Sequence, residues 1–241
     1  MTIRWVWAFI DCPATQFGKC AEFWTAVTGT TLSAKRGEHD EFVTLLPASG
    51  TPSLKMQSVP HSPRIHLDLD VEDVPAAVEH AVKLGATKVF EHPDYTVLRS
   101  PHGMIFCLTP AGTAGDFAPV VIGPAGDRSR LDQVCLDIGP SAHADEVRFW
   151  SELTGWRWTP GSLPEFSRLT PEPALPIKML LQRLNEDRPT TAHPDLACTD
   201  IDATATWHEK LGARRVSRGS HWIVMADPAG QSYCLTGRDP A

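Results

Sequence analysis

Phe23-Trp24-Thr25-Ala26-Val27-Thr28-Gly29 returns later in the chain as Phe149-Trp150-Ser151-Glu152-Leu153-Thr154-Gly155, at an offset of 126 residues. Further stretches return in the same order at an offset of 127. His66-x-Asp68-Leu69 reappears as His193-x-Asp195-Leu196, and Asp73 as Asp200. Lys83-Leu84-Gly85-Ala86 reappears as Lys210-Leu211-Gly212-Ala213, and Cys107-Leu108-Thr109 as Cys234-Leu235-Thr236. A register held over so many positions marks a duplication. Two copies of this length are too few and too long for a solenoid, so they read as tandem domains. The boundaries fall at residues 1–112 and 128–241. Between them, a linker over residues 113–127 carries Gly and Pro around an apolar stretch, residues 117–122, expected to lie along a domain surface.

Within each copy the hydrophobic period switches between strand and helix. Cys20, Phe23, Trp24 and Val27 stand at i, i+3, i+4 and i+7, the stripe of an amphipathic helix, and Gly29 follows where a left-handed cap costs glycine little. Val74, Ala77, Val78, Ala81 and Val82 repeat the spacing behind Asp73, a good N-cap, and Gly85 ends that helix. The second copy has the same pair, with Phe149, Trp150 and Leu153 before Gly155 and a helix from Ile201 after Asp200. One alternating strand precedes each helix and three short β-like runs follow it. The chain therefore reads as four β-α-β-β-β modules of an α+β protein.

Composition narrows the partners. The 22 Lys and Arg against 29 Asp and Glu leave a net charge of -7 with no basic run, which argues against nucleic acid or an anionic membrane. Asp11 arrives before a signal-peptide core has formed, and no apolar stretch approaches the roughly 20 residues of a membrane span. A cytoplasmic protein with a small-molecule partner is the expectation, as a monomeric pseudo-dimer or a homodimer. Cys12, Cys20, Cys107, Cys135, Cys198 and Cys234 lack close-pair spacing and read as reduced, buried side chains.

The order Phe-Trp-x-x-x-Thr-Gly, His-x-Asp-Leu, Asp-capped helix ending Leu-Gly-Ala, then Pro-x-Gly before a last strand, present twice, resembles the glyoxalase-like branch of the vicinal oxygen chelate superfamily. The resemblance implies that the four modules curl into two cup-shaped sheets. It also implies metal ligands on the first, fourth, fifth and eighth strands of each copy. Those positions fall on Trp7, Gln57, His66 and Cys107 in the first copy and on Gln133, Gln182, His193 and Cys234 in the second. Neither set holds a carboxylate, so the expectation is that no catalytic metal is bound, since hard cations require anionic oxygen. Asp68 and Asp195, two residues beyond each histidine and about 6.6 Å away on the same strand face, are the one route by which a divalent metal returns.

The site reading is therefore twofold. His66, Asp68, His193 and Asp195 are candidate catalytic groups, imidazole as ligand or proton shuttle beside a carboxylate, against a plain alternative of inherited, hydrogen-bonded strand histidines. Trp7, Gln57, Cys107, Gln133, Gln182 and Cys234 are candidate ligand-binding groups, an indole for stacking and amides for orienting a carbonyl. Plain core packing is the alternative for the tryptophan and cysteines, surface exposure for the glutamines. The function expected is a small organic molecule bound in a cup without a catalytic metal. The alternative is a lyase or isomerase that uses a His-Asp pair or a divalent metal on a carbonyl substrate.

Overall fold

A computed structural model describes residues 1–112, 114–171 and 174–240. Thr113 and Ala241, at the ends of the expected linker and second copy, lie outside the described residues. The first copy runs β1 (Ile3–Pro13), α1 (Phe17–Thr28), β2 (Thr30–Leu32), β3 (Phe42–Pro47), β4 (Leu54–Val59), β5 (Arg64–Val71), α2 (Val74–Lys83), β6 (Thr87–His92), β7 (Tyr95–Arg99) and β8 (Ile105–Pro110). After β9 (Val121–Ile122), the second runs β10 (Arg128–Ile138), α3 (His143–Thr154), β11 (Arg157–Pro160), β12 (Phe166–Thr170), β13 (Lys178–Arg183), β14 (Thr191–Cys198), α4 (Ile201–Lys210), β15 (Arg214–Arg218), β16 (Trp222–Ala226) and β17 (Ser232–Gly237). These are the four modules read from the sequence.

The strands form two mixed sheets of one plan. The first is ordered β2-β3-β4-β1-β5-β8-β7-β6 and the second β11-β12-β13-β10-β14-β17-β16-β15, with β9 added beside β10. Part of the expected linker is thus strand, because Val121 and Ile122 pair with Ser129 and Arg128. The pairs β5–β8 and β14–β17 are parallel. No helix among the described residues is long and apolar enough to cross a membrane.

Local chemistry sets the helix ends where the sequence put them. Gly29 and Gly155 close α1 and α3 at φ 62° and 68°, in the left-handed region that a side chain would strain. Asp73 accepts from the Ala76 N–H, and Asp200 from those of Asp202 and Ala203, answering backbone donors with no partner inside the helix. The α2 stripe is narrower than its spacing implied. Ala77, Val78 and Ala81 are buried, but Val82 is 45% exposed.

The chain divides into two compact units, residues 1–8, 66–114 and 134–192, and residues 9–65, 115–133 and 193–241. In the first unit, Trp150 is fully buried between Phe106 and Phe149, its ring centroid 5.0 and 5.2 Å from theirs. Its indole N–H donates to Glu146 at 2.7 Å. The other Glu146 oxygen accepts from the Ser100 hydroxyl at 2.6 Å and the His102 N–H at 2.7 Å. Burial nonetheless raises the pKa of this carboxyl. In the second unit, Trp24 is equally buried among Phe23 and Tyr233 and donates to Asp227 at 3.0 Å. Asp227 also accepts from the Ala229 and Gln231 N–H groups. Next to that cluster lies His208 of α4, wholly buried and hydrogen-bonded to the Tyr233 hydroxyl at 3.0 Å.

Two measurements check this packing. Trp24→Ala or Trp150→Ala removes a large buried side chain and strands a buried carboxylate, so urea unfolding should show a loss of about 3–5 kcal/mol for each. The second concerns acid. Burial holds the His208 pKa down at about 3, against 6.5 unfolded, so below pH 6.5 the unfolded chain takes up a proton that the folded chain refuses. His208 should therefore withdraw stability at about 1.4 kcal/mol per pH unit as pH falls from 6.5 toward 3, and leave it unaffected above 6.5. Urea midpoints between pH 7 and 5 should fall less steeply in His208→Gln than in the parent; equal slopes would refute the assignment.

Candidate functional site

β5 alternates strictly. Leu67, Leu69 and Val71 point to one face and His66, Asp68 and Asp70 to the other, and all six are buried. The parallel neighbour β8 sets Cys107 opposite Asp68 and Thr109 opposite Asp70. His66 Nε2 comes within 3.6 Å of an Asp68 oxygen. One ligand-type atom each from His66, Asp68 and Cys107 lies within 4.8 Å of the other two. Trp7 is half-buried on β1: its indole N–H donates to Asp70 at 3.1 Å, and the Thr109 hydroxyl donates to the same carboxylate at 2.6 Å.

The second copy repeats the arrangement with different partners. Cys234 stands opposite Asp195 in the parallel pair, and its Sγ lies 3.3 Å from His193 Nε2. His193 Nε2 is also 3.3 Å from an Asp195 oxygen. Gln133, at the first-strand position, donates its amide to the other Asp195 oxygen at 2.6 Å. Gln133, Asp195, His193 and Cys234 are all buried. Surface exposure, the plain alternative for Gln133, does not describe it.

The fourth-strand glutamines behave differently. Gln57 is half-buried on β4 opposite Phe42, and Gln182 is half-buried on β13 opposite Phe166. The Gln182 carbonyl takes the weak Cys135 thiol donor at 3.9 Å. Sequence reasoning missed Asp70 and Thr109. The signal for Asp70 was present, since a third acid at i+4 on a strand shares the face of i and i+2, and Ala197 at the matching place in the second copy marks it as special to the first.

Each floor thus offers an imidazole, a carboxylate and a thiol out of bulk water. Such a set can take a borderline-soft divalent ion, or orient an oxygen-bearing molecule by hydrogen bonds alone.

A sequence profile described as glyoxalase-like domain matches the chain twice, over residues 7–109 and 133–236. No curated protein matches by sequence. Among solved structures, the chain is similar to 2,2',3-trihydroxybiphenyl 1,2-dioxygenase from Sphingomonas wittichii, with a TM-score of 0.64 at 15% identity over 98% of this chain and 90% of that one. A mutant of 4-hydroxymandelate synthase from Streptomyces coelicolor gives 0.65 at 14% identity, over 100% and 95%. The 2,3-dioxygenase LapB from Pseudomonas sp. KL28 gives 0.64 at 12% identity, over 98% and 92%. At these identities the likeness is one of fold: two tandem domains of the vicinal oxygen chelate type, each a curled sheet.

All six cysteines are free and buried. The Cys20 thiol alongside and burial push Cys12 up, and burial pushes Cys198 up to about 12, so neither forms thiolate readily at neutral pH. A thiol reagent should therefore react slowly with the native protein and count six groups once it is unfolded without reductant; a count of four would reveal a disulfide.

Proposed function

The chain belongs to the glyoxalase-like domain family through both copies, and on that premise we propose that it is a lyase- or isomerase-type enzyme for a small carbonyl compound, assisted by a divalent metal. Residues 1–112 and 128–241 serve as its two domains. The observation that carries the reading is the buried convergence of His66, Asp68 and Cys107 within 4.8 Å. Judged by position alone, the family's eighth-strand carboxylate is lost to cysteine. Asp68 supplies a carboxylate from the fifth strand instead, opposite that same cysteine.

The donor set fits such an ion. His66 would give a neutral nitrogen, Asp68 an anionic oxygen and Cys107 a thiolate. Two anions balance the charge of a divalent cation in a site with little water, and three protein ligands are the number catalytic zinc sites use. Once bound, the ion would polarise a substrate carbonyl and stabilise negative charge developing on its oxygen. The chain's own part is orientation. Asp70, held by Thr109, fixes the edge of Trp7, so the indole presents a set face against which a planar substrate stacks.

A second reading, a metal-free binding cup, is favoured by one observation in the second copy. There Gln133 already donates to one Asp195 oxygen, and Cys234 lies against His193, so part of the floor is engaged by its own hydrogen bonds.

Elemental analysis of protein purified without a metal-affinity step separates the two. Near-stoichiometric zinc, or another divalent transition metal, that disappears in His66→Ala supports the enzyme. Metal-free protein that retains a co-purifying organic molecule by mass spectrometry would sink the metal-assisted reading and leave the binder.

A further inference from the structure

The turn that supplies the acceptor for Trp24 in the second unit also meets two thiols. Cys12 stands near the end of β1, Cys20 on the buried stripe of α1, and Asp227 just after β16. One ligand-type atom from each of these three lies within 4.8 Å of the other two, and all three side chains are buried. None of them belongs to the His66, Asp68 and Cys107 group.

The indole accounts for the acid and for neither thiol. Asp227 Oδ1 accepts from the Ala229 and Gln231 N–H groups, and Oδ2 accepts from Trp24, which leaves Oδ2 a second lone pair. In the first unit Glu146 and Ser100 do the same work for Trp150, and the place that matches Cys12 holds Ile138. Hydrocarbon suffices there. A thiol at Cys12 therefore adds a donor atom that the indole does not need, beside a second one at Cys20. The ionisable neighbours acting on Cys12 are Cys20, Asp227 and Asp11, all of them acids. Three groups that become anions thus converge in a buried place that a cation completes.

We infer that Cys12, Cys20 and Asp227 form a structural metal site of the second unit, and that the ion it takes is zinc. Two sulfurs select a thiophilic ion over calcium or magnesium, which are held by oxygens. Thiolate and carboxylate are both ordinary zinc donors, and a water carried in with the ion takes the fourth tetrahedral position. Binding would strip the proton from each thiol, however weakly acidic it is without metal. A divalent ion against three anions leaves one negative charge, on a carboxylate that the indole and two backbone N–H groups already support; copper(I) would leave two. Because the site is sealed, the ion enters as the chain folds and then ties strand, helix and turn together. The inference is independent of the reaction proposed above.

Unfolding in guanidinium with a chelator, then refolding with cobalt(II) as the probe, tests it in full-length His66→Ala, His193→Ala protein, which lacks both cup imidazoles. After gel filtration that protein should hold one cobalt per chain, with a sulfur-to-cobalt charge-transfer band in the near ultraviolet. Refolding with zinc in place of cobalt should give no such band, a melting temperature above that of the metal-free refolded protein, and an ion that EDTA removes only on unfolding. Adding Cys12→Ile, the residue the second copy carries at the matching place, should remove both the cobalt and the band. If that variant does not fold, Cys20→Ala should show the same loss. Folded protein without cobalt, cobalt that no sulfur band accompanies, or a band that survives in the folded cysteine variant would overturn the proposal.

Discussion

A tryptophan fully buried on a helix brings an indole N–H that must find an acceptor, and most of each copy's core is arranged around that demand. Both copies answer with a buried carboxylate, but they draw it from different elements. In the first unit it is Glu146, from the helix that carries Trp150, steadied by Ser100. In the second it is Asp227, from the turn after β16, facing Trp24. Under the duplication Glu146 corresponds to Cys20 and Ser100 to Asp227, so acid and small residue have exchanged places between helix and turn. Either exchange alone would fail. Two acids would crowd like charges in a site where burial already raises each one's pKa, and none would orphan the N–H.

That exchange also explains what the sequence could and could not announce. Helix stripes, capping aspartates and terminal glycines are local, and α1 to α4 appear where the periodicity put them. Trp24 and Trp150 were legible as buried, but their acceptors were not read: Glu146 sits outside the apolar stripe, and Asp227 lies 203 residues from Trp24. Val82 went astray for a related reason. Spacing marks which residues share a helix face, while the width of the partner surface decides how much of that face is covered.

For the candidate site, the His-x-Asp pairs were visible because a strand's period of two is unambiguous. The role of Cys107 and Cys234 was not, since no base neighbours them in sequence. It emerges only from the parallel pairing that sets each opposite an aspartate. The same topology shows that the two floors have diverged. An amide at Gln133 is short and meets Asp195. An indole at the matching Trp7 reaches Asp70 instead, two residues further along the strand, where the second copy has Ala197. A longer first-strand side chain thus comes with a second acid to receive it.

Divergence at the floor has a counterpart on the surface of the second helix of each copy. In the second copy Gln133 donates to Asp195 on the sheet, and Arg215 and Arg218 tie β15 to Asp202 of α4. In the first copy Trp7 donates to Asp70, and Lys88 and Glu91, an ion pair along one strand, stand where the second copy has those arginines. Polar pairs at the sheet floor and on the helix surface can be redrawn in each copy because the capped helices and the buried tryptophans that hold each fold together lie elsewhere.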